Sequence, residues 1–329
     1  MSGIHAIRLE NLSKSFGWRP KKRVHAVQNV SLEVAPGQVY GFLGPNGAGK
    51  TTAIRIMLDL MRPNKGTAYI YGQSPRKQPA VLRRVGMLVE GPAFYPYLTG
   101  RKNLIVISRA HGCYDPARID ALLEQVNLAG RGGMRFKNYS LGMKQRLGLA
   151  AALIHDPDLL ILDEPTNGLD PAGIQEMRLF IRDLVDNHGK TVFLSSHMLS
   201  EVEQVCDRVA IINKGEIVHE GAVSEVQGMA AGGDTPRVML RVNPHEAALQ
   251  LLQGRYTITP DVKDDTLTAE IAYSEVPGIV AELVAHNIEI HEVVRVRRTL
   301  EDFFLSVTND PTQGHINGRV SEQAEVIAQ

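Results

Sequence analysis

The sequence has no excess of charge of either sign and very little cysteine. Lysine and arginine together number 36, aspartate and glutamate also number 36, and the cysteines are Cys113 and Cys206. Proteins that bind nucleic acid usually carry a basic excess, so the charge balance gives no reason to expect a nucleic acid partner. Two cysteines are too few for a disulfide framework and lack metal-ligand spacing, which favours ordinary reduced thiols in a cytosolic protein.

Long hydrophobic runs are also missing. Nowhere do about 18 apolar residues follow one another, the length that a membrane-spanning helix requires. The opening residues, MSGIHAIRLENLSKSF, mix polar and apolar side chains and lack the apolar centre of a secretory signal. If the protein acts at a membrane, we therefore expect a different chain to cross it.

The chain does contain enough apolar material for a folded core. With 329 residues, 43% of them hydrophobic, it is long for one compact domain and suits a large domain followed by a small one. The glycine-rich stretch 229–236 has the composition of a linker. We predict a first domain over residues 1–228, an accessory domain over 237–308 and a disordered polar tail over 309–329.

Apolar side chains in the first domain follow two strand patterns. Alternation at Ile7, Leu9 and Leu12, and again from Val30 to Val34, predicts edge strands of an antiparallel sheet. Three short, mainly apolar segments alternate with helical patterns and are each followed by polar residues: Val39–Leu43, Leu159–Leu162 and Thr191–Leu194. This arrangement is typical of a parallel α/β sheet with its functional site at the carboxyl ends of the strands.

Single residues place two helix boundaries. Apolar residues within Ile54–Met61 have helical spacing, and Pro63 is expected to end that helix. Asp115 followed by Pro116 is typical of an N-cap and the first helical position of another helix.

The accessory domain has a different order of elements. Its pattern predicts strand, helix, strand, strand, helix and strand at Val238–Val242, Pro244–Leu252, Tyr256–Thr259, Thr266–Ile271, Val276–His286 and Glu289–Val296, with a last helix near Leu300–Val307. This order predicts a small α+β domain of the split βαβ, or ferredoxin-like, type. The segment contains no phosphate loop, metal cluster or nucleophile–base arrangement, so we do not expect it to catalyse a reaction.

A candidate phosphate-binding loop follows the strand at Val39–Leu43. The next eight residues satisfy the pattern G-x-x-x-x-G-K-[ST], with a predicted strand before and a helix after. Lys50 is expected to reach the β- and γ-phosphates of ATP, and the Thr51 hydroxyl to bind Mg²⁺. A glycine-rich turn that matches by chance is the alternative, and both flanking elements argue against it. The candidate nucleotide-binding residues here are Gly44, Pro45, Asn46, Gly47, Ala48, Gly49, Lys50, Thr51 and Thr52.

Two carboxylates follow the strand at Leu159–Leu162. Asp163 is expected to hold Mg²⁺ directly or through water, and Glu164 is the candidate base that orients the attacking water. Phosphoryl transfer depends mainly on positioning and charge neutralisation, so one carboxylate on the metal side and one on the water side suffice. The pair is weak evidence alone and strong evidence downstream of a phosphate loop in the same sheet.

Three further segments complete a pattern that resembles ATP-binding cassette (ABC) proteins. Tyr139–Gln145 resembles their signature sequence, Asn167–Asp170 their D-loop and Ser195–His197 their switch histidine. The order and spacing of the motifs match over roughly residues 4–225. Within the family, the run YSLGMKQRLG and the segment Leu300–Leu305 resemble the bacterial subgroup of peptide-antibiotic resistance, lantibiotic immunity and related exporters.

The resemblance implies a fold, an activity and partners. It implies a P-loop NTPase cassette with a mixed sheet and a helical subdomain, which uses ATP and Mg²⁺ and hydrolyses ATP to ADP and phosphate. It also implies a peripheral protein at the cytoplasmic face of the cell membrane that drives a separate integral membrane permease, with export of a peptide antibiotic or another small amphipathic substrate favoured over import. A soluble ABC ATPase is the alternative, and the chain lacks the coiled-coil or zinc insertions and the second cassette found in such proteins.

The resemblance further implies that two cassettes pair head to tail around two ATP molecules, as a homodimer or with a paralogue. Ser140 and Gly142 of one subunit would then face the phosphate loop of the other, and Asp170 of the D-loop is a further candidate nucleotide-binding residue. His197 would contact the γ-phosphate. On the residues alone, Ser140 could equally cap an ordinary helix, and His197 could be a hydrogen-bonded core histidine.

The signature and the Q-loop depart from the family pattern. Leu141 stands where the family often has glycine and Met143 where it often has glutamine, while Ser140 and Gly142 are retained. Glu90 occupies the position of the family's Q-loop glutamine. A glutamate there could contact Mg²⁺ or the attacking water, and it adds a charge.

Aromatic residues supply two further candidates. Phe16 is expected to stack on adenine, with Trp18 as a rival and a core position for Phe16 as the alternative. The stretch Gly91–Leu98 is aromatic and interrupted by prolines, which favours an irregular exposed loop where a cytoplasmic helix of the permease docks. Internal packing of these aromatic side chains is the alternative.

Overall fold

The computed structural model describes residues 4–17, 23–89, 94–225, 237–261 and 266–296. Contacts divide the chain into two compact units, the first containing the described residues up to Val223 and the second lying within Ser224–Ser306. Among the described helices, none is both long and apolar enough to cross a membrane. Five sequence predictions lie outside the described residues, namely those for Trp18, Glu90, the linker 229–236, the helix near Leu300–Val307 and the tail 309–329.

The first unit mixes strands and helices. Its strands are β1 (Ile7–Phe16), β2 (Val24–Val34), β3 (Val39–Leu43), β4 (Lys65–Ile70), β5 (Val85–Leu88), β6 (Leu159–Asp163), β7 (Thr191–Ser196), β8 (Arg208–Asn213) and β9 (Glu216–Ala222). Its α-helices are α1 (Lys50–Met57), α2 (Gly100–Ala110), α3 (Pro116–Gln125), α4 (Leu141–Ala152), α5 (Pro171–Asp186) and α6 (Leu199–Val205).

A six-stranded sheet forms the centre of this unit. Its order is β5-β6-β7-β3-β8-β9, with β9 antiparallel and the other strands parallel. All five residues of β3 are buried between β7 and β8, which explains its continuous apolar sequence. The rings of Tyr40 and Phe42 on β3 pack against Phe193 on β7, with centroids 5.8 and 5.6 Å apart. The prediction of a parallel α/β sheet is confirmed.

A second, three-stranded sheet has the order β2-β1-β4 and is antiparallel. Strands β1 and β2 pair as predicted and β2 lies at an edge, but the prediction that β1 is an edge strand is wrong. Strand β4, which was not anticipated from the sequence, pairs with its other side. One continuous core of buried side chains joins this sheet to α1 and the central sheet, with Ile7, Ile54 and Ile161 as members from the three parts. This core fixes the position of α1 beneath the phosphate loop.

Helix α1 ends earlier than the sequence predicts. Asp59 has φ +54°, in the left-handed region, and the N–H of Met61 donates to the carbonyl of Arg55 at 3.1 Å. These features end the regular helix at Met57. The prediction that the helix continues until Pro63 is therefore wrong, because the turn forms before the proline is reached.

Helices α2, α3 and α4 contact one another and follow β5, forming a helical part of the first unit. Helix α3 begins as predicted. Asp115 Oδ1 accepts a hydrogen bond from the N–H of Ala117 at 2.9 Å, and Pro116 is the first helical residue.

The second unit contains β10 (Arg237–Asn243), α7 (His245–Leu252), β11 (Thr257–Asp261), β12 (Thr266–Glu270), α8 (Val276–Ala285) and β13 (Glu289–Val296). The sheet order is β11-β12-β10-β13, and all neighbours are antiparallel. Leu240, Leu252 and Leu283 belong to its own apolar core, which forms between the sheet and the helices. Strand order and connectivity agree with the predicted ferredoxin-like α+β fold, which is confirmed.

Candidate functional site

The predicted catalytic residues lie at the carboxyl-terminal ends of strands in the central sheet. Strands β6, β7 and β3 are parallel neighbours, so their carboxyl ends lie side by side. The phosphate loop follows β3, Asp163 and Glu164 lie at the end of β6, and Ser195–His197 lie at the end of β7. The N–H of Gly44 donates to the carbonyl of Ser196 at 3.2 Å and joins the loop to β7. Residues far apart in sequence are therefore brought to one place.

Two positions of the phosphate loop have no space for a side chain. Gly49 has φ +109° and precedes α1, and a Cβ there would lie 2.1 Å from the carbonyl oxygen of Ala26. A Cβ on Gly44 would lie 2.4 Å from the carbonyl oxygen of Ile212. Glycine at these positions lets the backbone take a course in which N–H groups can approach phosphate oxygens. The other predicted loop residues, Pro45, Asn46, Gly47 and Ala48, lie between these glycines, and Thr52 lies in the first turn of α1.

Lys50 is almost fully buried inside the loop, with 6% of its surface exposed. Its Nζ lies 2.6 Å from the carbonyl oxygen of Gly44, 3.3 Å from that of Pro45 and 3.1 Å from Oε1 of Glu164. These three oxygens match the three donors of an ammonium group. A cation held at this position is suited to binding a nucleotide phosphate.

Asp163 uses both carboxylate oxygens. Its Oδ2 accepts from the Thr51 hydroxyl at 2.8 Å, and its Oδ1 accepts from the Ser195 hydroxyl at 2.5 Å. Magnesium is usually held by one or two carboxylates together with substrate phosphates and water, so a hydroxyl paired with one carboxylate fits this ion. Within the described ranges, no cluster of three or more histidine, cysteine or acidic side chains could hold a metal by itself.

Glu164 links the phosphate loop to the switch histidine. Its Oε1 pairs with Lys50, and its Oε2 lies 2.6 Å from Nδ1 of His197. Its φ of +50° places it in the left-handed region, which is uncommon for a residue other than glycine. The backbone N–H of Glu164 is held by Ser195, at 3.0 Å from the hydroxyl and 3.2 Å from the carbonyl oxygen. A strained backbone held in this way aims the carboxylate between a cation and an imidazole.

Sequence reasoning missed the buried hydroxyl groups that lie around Asp163 and Glu164. Ser195 is fully buried and binds both the side chain of Asp163 and the backbone of Glu164. Thr166 and Ser196, also buried, both donate to Oε2 of Glu201, at 2.6 and 3.0 Å. Two serines at the end of an apolar strand were the available signal, because hydroxyls are buried only when they have partners.

The signature segment is placed by a helix cap. The Ser140 hydroxyl accepts from the N–H of Met143 at 3.3 Å and caps α4. Before it, the buried Tyr139 donates its hydroxyl to the carbonyl of Arg131 at 2.9 Å, and burial raises the pKa of that phenol. Among the hydrogen bonds of the described residues, none joins the Ser140 side chain to the phosphate loop of its own chain. The predicted cap is therefore present, and the contact of Ser140 with a phosphate remains a prediction.

The D-loop lies against the signature segment. Asp170 caps α5 by accepting from the N–H of Gly173 at 3.0 Å. Gly168 has φ +75°, and a Cβ there would lie 2.5 Å from Cδ2 of Leu141. Leu141 therefore covers Gly168, although 49% of its surface remains exposed. Gly142 follows in the first turn of α4.

The candidate adenine-stacking residue lies at the end of β1. Phe16 is 41% exposed, and Nζ of Lys14 lies 5.3 Å from its ring centroid. This exposure does not agree with a core position. An accessible ring is what stacking on a base requires, and that role remains a prediction.

The fold and site can now be compared with known proteins. A family model described as ABC transporter matches residues 27–167. The ABC transporter ATP-binding protein YdbJ of Bacillus subtilis is 39% identical over 303 residues, covering 92% of this chain and 95% of that protein. The bacitracin transport ATP-binding protein BcrA of Enterococcus faecalis is 37% identical, covering 91% and 95%. The daunorubicin/doxorubicin resistance ATP-binding protein DrrA of Streptomyces peucetius is 35% identical, covering 92% and 93%.

Solved structures agree with the fold of the first unit. The ATP-binding subunit of an ABC transporter aligns with a TM-score of 0.60 at 28% identity, covering 69% of this chain and 93% of that one. A dimeric ATP-binding cassette bound to ADP and phosphate also has a TM-score of 0.60, at 22% identity, covering 66% and 98%. At that lower identity, the likeness shows the cassette fold alone.

Proposed function

This chain belongs to the ABC transporter ATP-binding proteins, and on that premise we propose that it is an ATPase subunit that powers export through a separate membrane permease. The observation that carries the proposal is the meeting of Lys50, Asp163, Glu164 and His197 at one edge of the central sheet. These groups come from three strand ends and supply a cation, a metal-binding carboxylate and a base. Transfer of the γ-phosphoryl group to water requires these three kinds of group.

The residues divide the work of hydrolysis. Thr51 and Asp163 would hold Mg²⁺, which would supply positive charge to the phosphates. Lys50 now contacts carbonyl oxygens of the phosphate loop. When ATP binds, its ammonium group would contact the β- and γ-phosphates instead. Glu164 orients the attacking water and accepts its proton. We assign Glu90 to the same water or ion by its sequence position.

His197 holds the orientation of Glu164 in this proposal. Its Nδ1 contacts the carboxylate, which leaves Nε2 as the atom that reaches a γ-phosphate oxygen. If Nδ1 keeps its hydrogen in the bond to Glu164, Nε2 can donate to phosphate only when the ring carries a second proton.

Catalysis requires two chains in this proposal. Ser140 caps a helix whose N-terminus favours an anion, yet it makes no hydrogen bond to the phosphate loop of its own chain within the described residues. Ser140 and Gly142 therefore face the phosphate loop of a second cassette, with Asp170 and the D-loop at the same contact. A homodimer is the simplest such pair.

Substitution of Ser140 tests the paired arrangement. Ser140→Arg places a cation and a long side chain at the capped helix end, so it should abolish ATP-dependent dimers in sizing chromatography while each monomer still binds ATP. Gly133→Ala, at an exposed position of the same unit with open space for a side chain, is the control for a change that only alters the surface. Normal ATP-induced dimers of Ser140→Arg would contradict the proposal.

The permease contact is proposed around the aromatic loop. Phe94 packs edge-on against Phe136 with centroids 4.9 Å apart, whereas Tyr97 is 66% exposed. Phe94 also lines a groove of about 370 Å³ with Met87, Ile107 and other side chains. Phe94 thus packs internally, whereas Tyr97, whose ring centroid lies 5.8 Å from that of Tyr95, remains accessible to a partner. Gly91–Ala93 lie outside the described residues. Docking here would hold the protein at the cytoplasmic face of the membrane.

The cargo is proposed from the relatives. Proteins similar over nearly the whole chain are named for bacitracin transport and for daunorubicin resistance. We propose a peptide antibiotic or another small amphipathic compound as the exported substrate. The chain should raise resistance to such a compound when expressed with its permease, and Glu164→Gln should remove that resistance. A folded chain that never co-purifies with a membrane protein would instead favour the soluble ABC ATPase.

A further inference from the structure

A buried carboxylate lies behind the catalytic pair. Glu201 lies in α6, four residues after His197, and has 4% of its surface exposed. Its Oε2 accepts from the hydroxyls of Thr166 at 2.6 Å and Ser196 at 3.0 Å, while its Oε1 has no hydrogen-bond partner. None of the ion pairs found in the described part of the chain includes this side chain.

Such a group is expensive to keep inside a protein. Burial of a carboxylate costs free energy that two hydroxyl bonds offset only in part, and apolar residues often replace buried charged groups without loss of stability. The stability of the fold therefore gives no reason for glutamate at this position. The two groups that it binds supply one.

Both hydroxyls belong to the segments that carry the catalytic pair. Thr166 follows Glu164 by two residues, and its carbonyl oxygen accepts from the N–H of Leu169 at 3.1 Å at the start of the D-loop. Ser196 directly precedes His197. One carboxylate oxygen therefore connects the backbone after the proposed base to the backbone before the switch histidine.

Helix α6 gives this connection a rigid support. A Cβ on Gly41 of β3 would lie 2.9 Å from Sγ of Cys206 and 3.0 Å from Cγ1 of Val202, so α6 packs directly on the strand that leads into the phosphate loop. Positions on α6 are thus fixed relative to that loop. A contact made by Glu201 transfers this fixed position to both segments.

We propose that Glu201 is a positioning residue for ATP hydrolysis, which sets the spacing between Glu164 and His197 by binding Thr166 and Ser196 through one oxygen. It does not touch the nucleotide. The inference rests on the proposed role of Glu164 as the base, and it adds a role for a residue that none of the sequence motifs contains.

Two substitutions of Glu201 distinguish the effect of its hydrogen bonds from the effect of its side-chain volume. Glu201→Leu keeps the volume and removes the acceptor, so kcat for ATP hydrolysis by the full chain should fall about tenfold or more while KM changes less than about threefold. Glu201→Gln retains an oxygen that can accept both hydroxyls, and its kcat should stay within about threefold of wild type. Equal losses in both variants, or a wild-type kcat in Glu201→Leu, would overturn the proposal.

A triple variant distinguishes positioning from a structural role. Glu201→Leu removes the acceptor shared by two buried hydroxyls, of which Ser196 still accepts from the N–H of Met198 at 2.9 Å. Adding Thr166→Val and Ser196→Ala removes both hydroxyls. The thermal midpoint should then recover relative to Glu201→Leu, whereas kcat should remain low. Recovery of kcat together with the midpoint would show that Glu201 only satisfies the hydroxyls, and the proposal would fail. If Glu201→Leu does not fold, Thr166→Val provides the same kcat-against-KM test.

Glu164→Gln, measured in parallel, distinguishes failure of this inference from failure of the proposed function. If Glu164→Gln keeps wild-type turnover, the assigned base is wrong and the inference falls with it. If Glu164→Gln is inactive and Glu201→Leu is fully active, the site stands and only the inference is overturned.

Discussion

The two units of the chain use their polar side chains in different ways. In the first unit, the hydroxyls of Thr51, at the start of α1, and Ser195, near the end of β7, both donate to Asp163 at the end of β6. In the second unit, the core consists of apolar side chains, and a charged pair such as Arg255 with Glu282 lies on the outside, the arginine being 61% exposed. A packed core explains the exposed charged pair of the second unit, whereas the proposed chemistry accounts for the polar cluster around Asp163 in the first.

The largest test of this contrast makes one substitution in each unit. Glu164→Gln removes the proposed base and should lower ATP turnover by at least about 100-fold while ATP still binds. Glu282→Gln removes an exposed ion pair and should leave turnover unchanged, with at most about 1 kcal/mol lost from the free energy of unfolding. Steady-state hydrolysis and nucleotide titration measure both. Turnover of Glu164→Gln within a few-fold of wild type would break the contrast.

Removal of core volume should act only on the unit that contains it. Leu283 is fully buried in the second unit, and Leu283→Ala should lower the stability of that unit by about 2–5 kcal/mol. Hydrogen exchange measured on peptides of each unit detects the difference. Ile161→Ala, in the strand that leads to Asp163, is the matched change in the first unit. Faster exchange throughout the chain in Leu283→Ala would show that the units do not fold independently.

Deletion of the second unit should have a smaller effect on nucleotide binding. A chain that ends near Gly233 keeps every phosphate and adenine contact assigned above, so its ATP affinity should be similar to that of the full chain. We propose that the second unit stabilises or regulates the dimer, and ATP-dependent dimerisation should be weaker without it. Titration calorimetry and sizing chromatography measure the two effects. Loss of ATP binding by a folded truncation would remove the proposed division at residues 229–236.

The smallest expected effect is a pH dependence of the first unit. Burial raises the pKa of Glu220, even though the Tyr40 hydroxyl donates to its Oε1 at 2.7 Å and acts in the opposite direction. The folded chain therefore holds this proton more tightly than the unfolded chain does. Its contribution to stability is fully present below the ordinary glutamate pKa and is lost as pH rises through the raised value. Denaturation series over this window should show a smaller pH slope in Glu220→Gln, and identical slopes would contradict the assignment.

Much of the fold was predictable because local patterns determine it. The apolar run Val39–Leu43 gave a buried strand, the residues after it gave the loop and the helix start, and Asp115 gave a helix cap. The six elements of the second unit appear in the predicted order. The exact end of α1 was not predictable, because a left-handed turn at Asp59 stops it before the proline signal.

The main groups of the candidate site were predictable from the sequence, but the side chains that hold them in place were not. Lys50, Asp163, Glu164 and His197 follow from motifs whose spacing is local to each strand end, and their roles remain predictions. The contact of Thr166 and Ser196 with Glu201, by contrast, depends on how neighbouring segments pack, and no sequence spacing encodes it. Long-range side-chain bonds of this type become visible only when the fold is known.

The packing of Leu141 on Gly168 limits which sequences this surface can accept. A side chain at position 168 would occupy the place of the leucine, and the left-handed backbone there admits little besides glycine, asparagine or aspartate. Asparagine at 168 should therefore be tolerated only when position 141 becomes small. In a library randomised at positions 141 and 168, the functional variants should show this dependence: those that keep leucine at 141 should also keep glycine at 168.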